Sequence, residues 1–374
     1  MRIGIDMRMA GTGEGIARYA KELVTHLAAL DCENEYFLLI SENPKSQIPI
    51  SNQIPNPNFQ SIRVKSKYYS WAEQTLFVWE LMRLKLDLVH FTSFNAPVFY
   101  PGKFAVTIHD IIHHQYPGGK KSRVFHRLAY RFVIWASVKR AGRIIAVSQK
   151  TKEDIVNSFR VPRDKISLIY EGVSENFKRG AESAEIQTIK NKYNITKPYI
   201  FFVGVWRQYK NLPRLALAFD ILKEKYEKDC QLVLAGKMDS FYPEIKKSVF
   251  AARNGKDIIA TGYVSDDDLP GLYKGAKVFV IPSLIEGFGL IGVEAQAAGT
   301  AVAASDIPVL NEVLGKGALY FNPNDEHDMA EKIDAILSND ELAAKLSASG
   351  QENSKKYDWE TAAKKTLEIY RQII

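Results

Sequence analysis

The chain has 374 residues, of which 46% are hydrophobic and 25% charged, and it carries a net charge of +7 at pH 7. This length is too great for one ordinary core, so two domains are expected, and the composition excludes an intrinsically disordered protein. The longest apolar runs, such as 36–40 and 199–205, are strand-sized and far shorter than the roughly 20 residues that span a membrane. No signal-peptide core follows Arg2, so a cytoplasmic protein is expected.

The first half of the chain alternates short β-branched or aromatic runs with longer helical patterns. Apolar residues recur at helical spacing from Gly15 to Leu30, directly after the first predicted strand. The predicted strands are 2–6, 36–40, 87–91, 104–109, 143–147 and 166–170. This alternation is typical of a parallel, doubly wound sheet with helices on both faces.

The second half repeats the scheme, with predicted strands at 199–205, 231–235, 258–261, 277–281 and 301–304. We therefore predict an α/β protein with two Rossmann-like domains facing a cleft. The N-terminal domain spans 1–172, a polar linker spans 173–197, and the C-terminal domain spans 198–356. An amphipathic helix over 357–374 is expected to cross back to the N-terminal domain. Ligands of such sheets bind beyond the carboxyl ends of the strands, which makes the interdomain cleft the expected site.

The segment 277–305 combines a buried strand, a glycine-rich loop and a helix start near Leu290. Glycines at such a junction let backbone N–H groups approach a phosphate, and the positive end of the helix dipole favours that anion. Glu286 lies in the loop, and Glu294 lies about one helical turn into the helix. Both carboxylates are predicted to face one ligand, because carboxylate oxygens accept hydrogen bonds from sugar hydroxyls.

These residues resemble the E-x7-E motif of retaining family 4 glycosyltransferases, which have the GT-B fold. The resemblance covers almost the whole chain and is strongest to the mannosyltransferase-B-like branch. It rests on EGFGLIGVE together with the stretches 11–23, 107–110, 203–211, 261–283 and 357–370.

The resemblance implies a role for each matching residue. Glu286 would contact the donor sugar and Glu294 the ribose hydroxyls, while Lys210 would neutralise the leaving diphosphate. The backbone amides implied to hold the pyrophosphate belong to Phe288, Gly289 and Leu290, and the nucleoside would contact Tyr263 and Val264.

Three positions depart from the family pattern. Many members carry Arg where this chain has Val205, and Arg207 is the candidate substitute in the diphosphate clamp. Ile291 and Asn311 replace usual prolines. Neither change removes a charged group, so activity is expected to survive both.

The loop 10–15 follows the first strand and opens a helix. Its glycines break the G-x-G-x-x-G spacing, which disfavours an NAD-dependent dehydrogenase. The family resemblance instead assigns Gly13 and Gly15 to the donor phosphates; a simple turn is the alternative.

His109 and Asp110 end a predicted strand, where sites of α/β proteins lie. The resemblance implies that His109 touches the transferred sugar and helps to stabilise positive charge in the transition state. Asp110 would orient the imidazole or receive the acceptor hydroxyl proton. A metal site at His113 and His114 is disfavoured, because no further ligands accompany them at a familiar spacing.

No metal and no cofactor are expected. Asp266, Asp267 and Asp268 precede an apolar helical pattern, so they are interpreted as the acidic start of a helix rather than as metal ligands. Lys210 and the helix N-terminus would supply the positive charge that a metal would otherwise provide.

Positive charge is concentrated in the N-terminal half: residues 1–172 contain 24 Lys and Arg against 15 Asp and Glu. The segment 119–143 carries eight of these bases and no acid, interleaved with an aromatic stripe that is expected to belong to the core. A second segment, 63–85, places bases around Trp71, Phe77 and Trp79. Both segments predict contact with an anionic membrane surface. Nucleic acid is disfavoured, because no binding module is recognised.

The sequence therefore predicts a metal-independent, retaining transfer of a hexose, with mannose from GDP-mannose favoured by the branch. The donor is a nucleoside diphosphate sugar, and the acceptor is a hydroxyl of a glycan or a lipid-linked glycan at the inner face of the cell membrane. A sugar-nucleotide epimerase on the same fold is the alternative, and a non-catalytic sugar-nucleotide-binding protein is a further one.

Overall fold

The computed structural model describes residues 1–10, 15–41, 54, 56–112, 124–179 and 182–374, including all of their side chains except those of 124–126. The chain divides into two compact units. The first consists of Met1–Gly172 together with Asp358–Ile374, and the second consists of Val173–Tyr357.

The first unit is built on a seven-stranded sheet in the order β3-β2-β1-β4-β5-β6-β7. Every pair of neighbouring strands is parallel. The strands are β1 Arg2–Asp6, β2 Glu35–Ser41, β3 Phe59–Val64, β4 Leu88–Phe91, β5 Phe104–Ile108, β6 Arg143–Ala146 and β7 Ile166–Leu168. The helices are α1 Gly15–Leu30, α2 Trp71–Gln74, α3 Leu76–Arg83, α4 Val124–Arg140 and α5 Gln149–Phe159.

Successive side chains of the strands enter two separate cores, one on each face of this sheet. In β5, for example, Ala105 belongs to one cluster and Val106 to the other. This follows from the alternation of side chains along a strand, and it accounts for the nearly continuous apolar character of the central strands.

The C-terminal helix packs against α1 and belongs to the first unit, as predicted. Its last turns and its first turn both contribute fully buried aromatic residues, Tyr370 and Trp359. The apolar face that was visible in the sequence is therefore covered by the first unit, although the second unit precedes this helix in the chain.

The second unit is built on a six-stranded parallel sheet in the order β10-β9-β8-β11-β12-β13. Its strands are β8 Tyr199–Val203, β9 Gln231–Ala235, β10 Ile258–Gly262, β11 Val278–Ile281, β12 Val302–Ser305 and β13 Ala318–Phe321. Its helices are α6 Glu175–Arg179, α7 Ser183–Lys192, α8 Leu212–Glu224, α9 Pro243–Phe250, α10 Leu269–Gly275, α11 Leu290–Ala297, α12 Pro308–Leu314, α13 Glu326–Ser338 and α14 Asp340–Ser354. The C-terminal helix, which belongs to the first unit, is α15 Trp359–Ile373.

The segment 173–197 differs from the predicted linker, because it contains α6 and α7 and belongs to the second unit. Phe177 and Ile189 are buried, which anchors both helices to that unit. Most side chains of the two helices are exposed and polar, so the composition of the segment did not indicate that Phe177 and Ile189 would be buried.

Candidate functional site

The loops that follow β8 and β11 bring two of the predicted site residues together at the carboxyl edge of the second sheet. The Lys210 ammonium lies 2.6 Å from Glu286 Oε1, and the Ser283 hydroxyl donates to the same oxygen at 2.7 Å. The two charged side chains are only 12% and 9% exposed. The arrangement is therefore an ion pair at the edge where ligands of parallel sheets bind.

Asn211 holds these loops together through hydrogen bonds of its side chain. It adopts a left-handed backbone conformation with φ of 57°, which Asn tolerates better than most residues. Its side-chain amide donates to the carbonyls of Pro282 and Pro323 at 3.0 and 2.8 Å. One side chain thus links the segments that follow β8, β11 and β13 beside the ion pair.

The glycine-rich loop ends at the start of α11, as the sequence predicted. Gly289 is the N-cap residue, with φ of 86°, and a Cβ atom at this position would lie 2.7 Å from Leu310 Cδ2. A side chain would therefore be both strained and crowded here. Leu290 is the first helical residue, while the Phe288 ring is buried and packs edge-on against Tyr357.

The remaining predicted donor residues of the second unit differ in accessibility. Glu294 is 1% exposed and accepts a hydrogen bond from the Tyr273 hydroxyl at 3.0 Å. Tyr263 is exposed and Val264 is buried. The Arg207 Nε atom lies 3.3 Å from Asp239 Oδ2. Lys210 and Glu286 are two of these predicted residues that contact each other directly.

Asp268 immediately precedes α10, in agreement with the interpretation of the three aspartates as a helix start. Its carboxylate accepts from the Lys192 ammonium and the Tyr193 hydroxyl at 2.5 and 2.7 Å. Within the described residues, no three His, Cys, Asp or Glu side chains cluster in a way that could hold a metal ion.

In the first unit, His109 follows β5 and its ring is held at both nitrogens. Nδ1 lies 2.9 Å from Glu171 Oε1, and Nε2 lies 2.9 Å from the Thr92 carbonyl oxygen. Burial alone would lower the pKa of His109, but the hydrogen bond and charge of Glu171, aided by Thr92 and Asp110, raise that pKa above its ordinary value.

Glu171 and Thr92 were not predicted from the sequence. Asp110 was a candidate to orient the imidazole, but its Oδ1 accepts from the Ile112 backbone N–H at 2.8 Å, and Glu171 takes the imidazole Nδ1 instead. Gly15 opens α1, and no atom of the described residues lies within 4 Å of a Cβ atom built on it. Gly13, His113 and His114 lie outside the described residues.

The two basic segments contain both buried and exposed aromatic residues. In α4, Tyr130 is buried as expected of a core stripe, but Phe132 and Trp135 are 53% and 47% exposed. In 63–85, Phe77 is buried, whereas Trp71 and Trp79 are 88% and 54% exposed. The expectation that the α4 aromatic stripe belongs to the core is therefore wrong for Phe132 and Trp135, because the buried stripe of this helix is narrower than its aromatic composition suggests.

Comparison with known families identifies the chain. The model described as "Glycosyltransferase Family 4" matches residues 13–177, and the model described as "Glycosyl transferases group 1" matches residues 185–353. The chain belongs to the family 4 glycosyltransferases. No described helix of this glycosyltransferase is long and apolar enough to cross a membrane.

Two curated mannosyltransferases of Escherichia coli are similar to this glycosyltransferase. O-antigen chain mannosyltransferase B is 27% identical over 376 residues, which cover 96% of each chain. Serotype-specific mannosyltransferase WbdA is 30% identical over 281 residues, which cover 73% of this chain and 34% of WbdA. The glycosyltransferase thus spans about a third of the length of WbdA.

Solved structures share the fold. The Anabaena protein HepE in complex with UDP-glucose superimposes with a TM-score of 0.80 at 14% identity, and the match covers 99% of each chain. The two parallel sheets flanked by helices are therefore those of the GT-B fold, as predicted.

Proposed function

We propose that this family 4 glycosyltransferase moves a hexose, with retention of configuration and without a metal ion, from a nucleoside diphosphate sugar to a hydroxyl group of a glycan or lipid-linked acceptor. The observation that carries the proposal is the partly buried pair of Lys210 and Glu286 beside helix α11, which starts after Gly289. A cation, a sugar-binding carboxylate and a helix N-terminus at one sheet edge match the needs of a nucleotide-sugar donor.

The reaction requires stabilisation of charge on the leaving diphosphate. Lys210 supplies a cation at this edge, and the first turn of α11 presents backbone N–H groups that begin at Leu290. When a donor binds, Lys210 would transfer its interaction from Glu286 to the phosphates, and Glu286 would accept hydrogen bonds from hydroxyls of the sugar.

Same-face attack accounts for the retention of configuration. The bond between the anomeric carbon and the phosphate oxygen breaks, and the acceptor oxygen forms a bond to that carbon from the same side. The acceptor hydroxyl proton passes to the leaving diphosphate oxygen, so no enzymatic nucleophile is required. Exclusion of water from the donor would limit hydrolysis.

The relatives support mannose as the transferred sugar, since O-antigen chain mannosyltransferase B matches over almost the entire chain. GDP-mannose is therefore the first donor to test. The same relatives, named for O-antigen synthesis or serotype, favour a growing polysaccharide or lipid-linked glycan as the acceptor.

A lipid-linked acceptor would require the enzyme to work at the inner face of a membrane. The first unit offers aromatic side chains for this contact, in which Trp79 lies under the Arg83 guanidinium at 4.5 Å and Phe132 stacks on Trp135 with their ring centroids 6.0 Å apart. Aromatic rings beside cationic groups suit the interface of an anionic bilayer. We propose peripheral contact through this surface.

A donor panel and two variants test the transferase proposal. Thermal shift with GDP-mannose, UDP-glucose and other nucleotide sugars should reveal the donor, because a ligand that binds only the native state raises its stability. The Glu286→Gln variant should lower the transfer rate by at least about tenfold, a loss that corresponds to about 1.4 kcal/mol of transition-state stabilisation. Glu341→Gln, on the exposed face of α14, provides the matched control.

Product analysis separates the alternatives. A glycosidic product that appears only when both donor and acceptor are present supports transfer, whereas isomerised donor in the absence of acceptor would identify an epimerase. Unchanged turnover of Glu286→Gln would contradict the assignment of the donor site.

A further inference from the structure

The His109 imidazole is fixed by two acceptors that lie on different strand ends. The Thr92 carbonyl follows β4 and can only accept a hydrogen bond, so Nε2 must carry a proton. Glu171 follows β7, and its carboxylate accepts from Nδ1. With a proton on each nitrogen the ring is an imidazolium, and no lone pair is left with which it could act as a base.

Two acidic neighbours, Glu171 and Asp110, favour the charged form of this ring, while Tyr19 and His90 beside it are neutral. The side chains of His109 and Glu171 are 13% and 7% exposed, so solvent screens their pair only weakly. Tyr19 of α1 packs edge-on against the imidazole, and burial raises its pKa, which keeps the phenol neutral. His90 of β4 is neutral as well, because burial lowers its pKa to about 3. Asp110, on the same loop as His109, adds a second negative charge.

The Glu171 backbone is also held in place. The next residue, Gly172, packs so closely on the start of α15 that a Cβ atom there would lie 2.3 Å from the Trp359 backbone nitrogen. Gly172 is the last residue of the first unit before the chain enters the second. The carboxylate therefore projects toward His109 from a fixed main-chain position.

We infer that Glu171 is a positioning residue for the transfer reaction, which holds His109 as an imidazolium and thereby fixes the loop 109–112 beyond β5. This inference rests on the proposed function. A cationic ring repels an oxocarbenium-like centre, so the contribution of His109 is to orient the loop, and its ring neither stabilises that centre nor accepts the acceptor proton. Deprotonation would break one of the two hydrogen bonds that hold the ring.

The Glu171→Gln variant tests the inference, because it keeps the length and an oxygen acceptor but removes the charge. The His109 pKa should fall, as followed by NMR of ring-labelled histidine and assigned by comparison with His109→Gln. Because the protonated ring is the competent form, activity declines as pH rises through that pKa, and the basic limb of the kcat profile should move to lower pH. At pH 8 kcat should fall by about tenfold to a hundredfold, with the donor KM little changed.

Two further variants complete the experiment. Glu171→Asp retains the charge and should restore much of the pH profile, which a purely steric role would not predict. Glu175→Gln removes a glutamate whose side chain is 80% exposed and should leave both the His109 titration and the pH profile unchanged.

The NMR titration needs no substrate, so it distinguishes failure of this inference from failure of the proposed function. Equal His109 pKa values in the wild-type protein and Glu171→Gln would overturn the inference, and so would an unshifted pH profile. Absence of transfer by the wild-type protein with every donor would instead contradict the proposed function, and the titration would still decide whether Glu171 holds the imidazolium.

Discussion

At the scale of single residues, the Lys210 and Glu286 side chains are strongly coupled. They lie 2.6 Å apart and are almost withdrawn from solvent, so removal of either leaves a poorly solvated charge. We expect Lys210→Met and Glu286→Gln each to lower the free energy of unfolding, and the double variant to lose less than the sum of the two. A coupling energy of about 1–3 kcal/mol is expected from urea unfolding of the four proteins.

The exposed pair of Lys355 and Glu352 offers a matched comparison in the same unit. Its side chains are 71% and 74% exposed, and its coupling should be below about 1 kcal/mol. Additive effects at Lys210 and Glu286 would show that the contact contributes nothing to stability, and would weaken the case that donor binding must first separate the two charges.

The same lysine leads to a prediction about metals. If Lys210 and the N-terminus of α11 together stabilise the leaving diphosphate, transfer requires no divalent cation. We expect kcat with the best donor to change by less than about twofold after dialysis against EDTA, a difference of under about 0.4 kcal/mol in the activation barrier. Activity that is lost in EDTA and restored only by a divalent ion would refute the metal-free mechanism.

At the scale of secondary-structure elements, a buried hydrogen-bond chain ties α15 to the first sheet. The Tyr370 hydroxyl lies 2.7 Å from His90 Nδ1, while His90 Nε2 lies 2.8 Å from the Thr107 hydroxyl, which meets the Tyr19 hydroxyl at 2.9 Å. This chain joins the C-terminal helix, β4, β5 and α1 through side chains that water does not reach. Loss of one partner leaves a buried polar group unsatisfied.

His90 gives this network a pH dependence. Burial lowers its pKa to about 3 in the folded protein, whereas an unfolded chain binds the proton near pH 6.5. As pH falls, the unfolded state therefore binds the proton first. The stability that depends on neutral His90 is thus present above about pH 6.5 and is lost progressively below it. We expect His90→Gln to be less stable at pH 7.5, but to lose about 2 kcal/mol less than the wild-type protein between pH 6.5 and 5.

Equilibrium unfolding at several pH values measures this difference, and His327→Gln, at an exposed position on α13, serves as the control. His109 does not interfere with this comparison. Its pKa is raised in the folded protein, so the pH dependence that it adds to the free energy of unfolding lies above pH 6.5, where stability declines as pH rises. Parallel curves for the wild-type protein and His90→Gln below pH 6.5 would contradict the role assigned to the network.

The regular elements were predictable where burial left a periodic pattern. All eleven predicted strands form, with ends that shift by one or two residues. Two strands of the described residues, β3 and β13, were not predicted. Both lie at the edges of their sheets, where fewer side chains are buried and the apolar signal is weak. The start of α11 was predictable because the glycines that permit this turn are neighbours of the helix in the sequence.

The contacts of the site were less accessible to sequence analysis. Glu171 pairs with His109 across 62 residues, and Thr92 contributes a main-chain carbonyl, which carries no side-chain signal at all. The pairing of Lys210 with Glu286 joins residues 76 positions apart, and the sequence assigned them separate ligand contacts. Such pairings depend on the order of the strands within each sheet, and the spacing of apolar residues along the chain does not specify that order.

At the scale of the whole molecule, positive charge and exposed aromatic surface occur in the same unit. Residues 1–172 carry an excess of nine bases, and Trp71, Trp79, Phe132 and Trp135 of this unit all project into solvent. Exposed aromatic side chains that adjoin one another often mark an interaction site, and Phe132 and Trp135 stack on each other. Charge would bring the first unit to an anionic surface, and the aromatic rings would insert at the interface.

Co-sedimentation with liposomes tests this contact. Binding to vesicles that contain anionic lipid should exceed binding to neutral vesicles and weaken between about 0.05 and 0.5 M salt, because screening shortens the range of the charges. A variant with Trp79→Ala and Trp135→Ala should bind severalfold less at every salt concentration, since each lost ring removes apolar area from the interface. Phe241→Ala removes an exposed aromatic ring of the second unit and should bind like the wild-type protein. Equal binding by all three proteins, or no binding at low salt, would refute the membrane proposal and leave a soluble glycan as the acceptor to test.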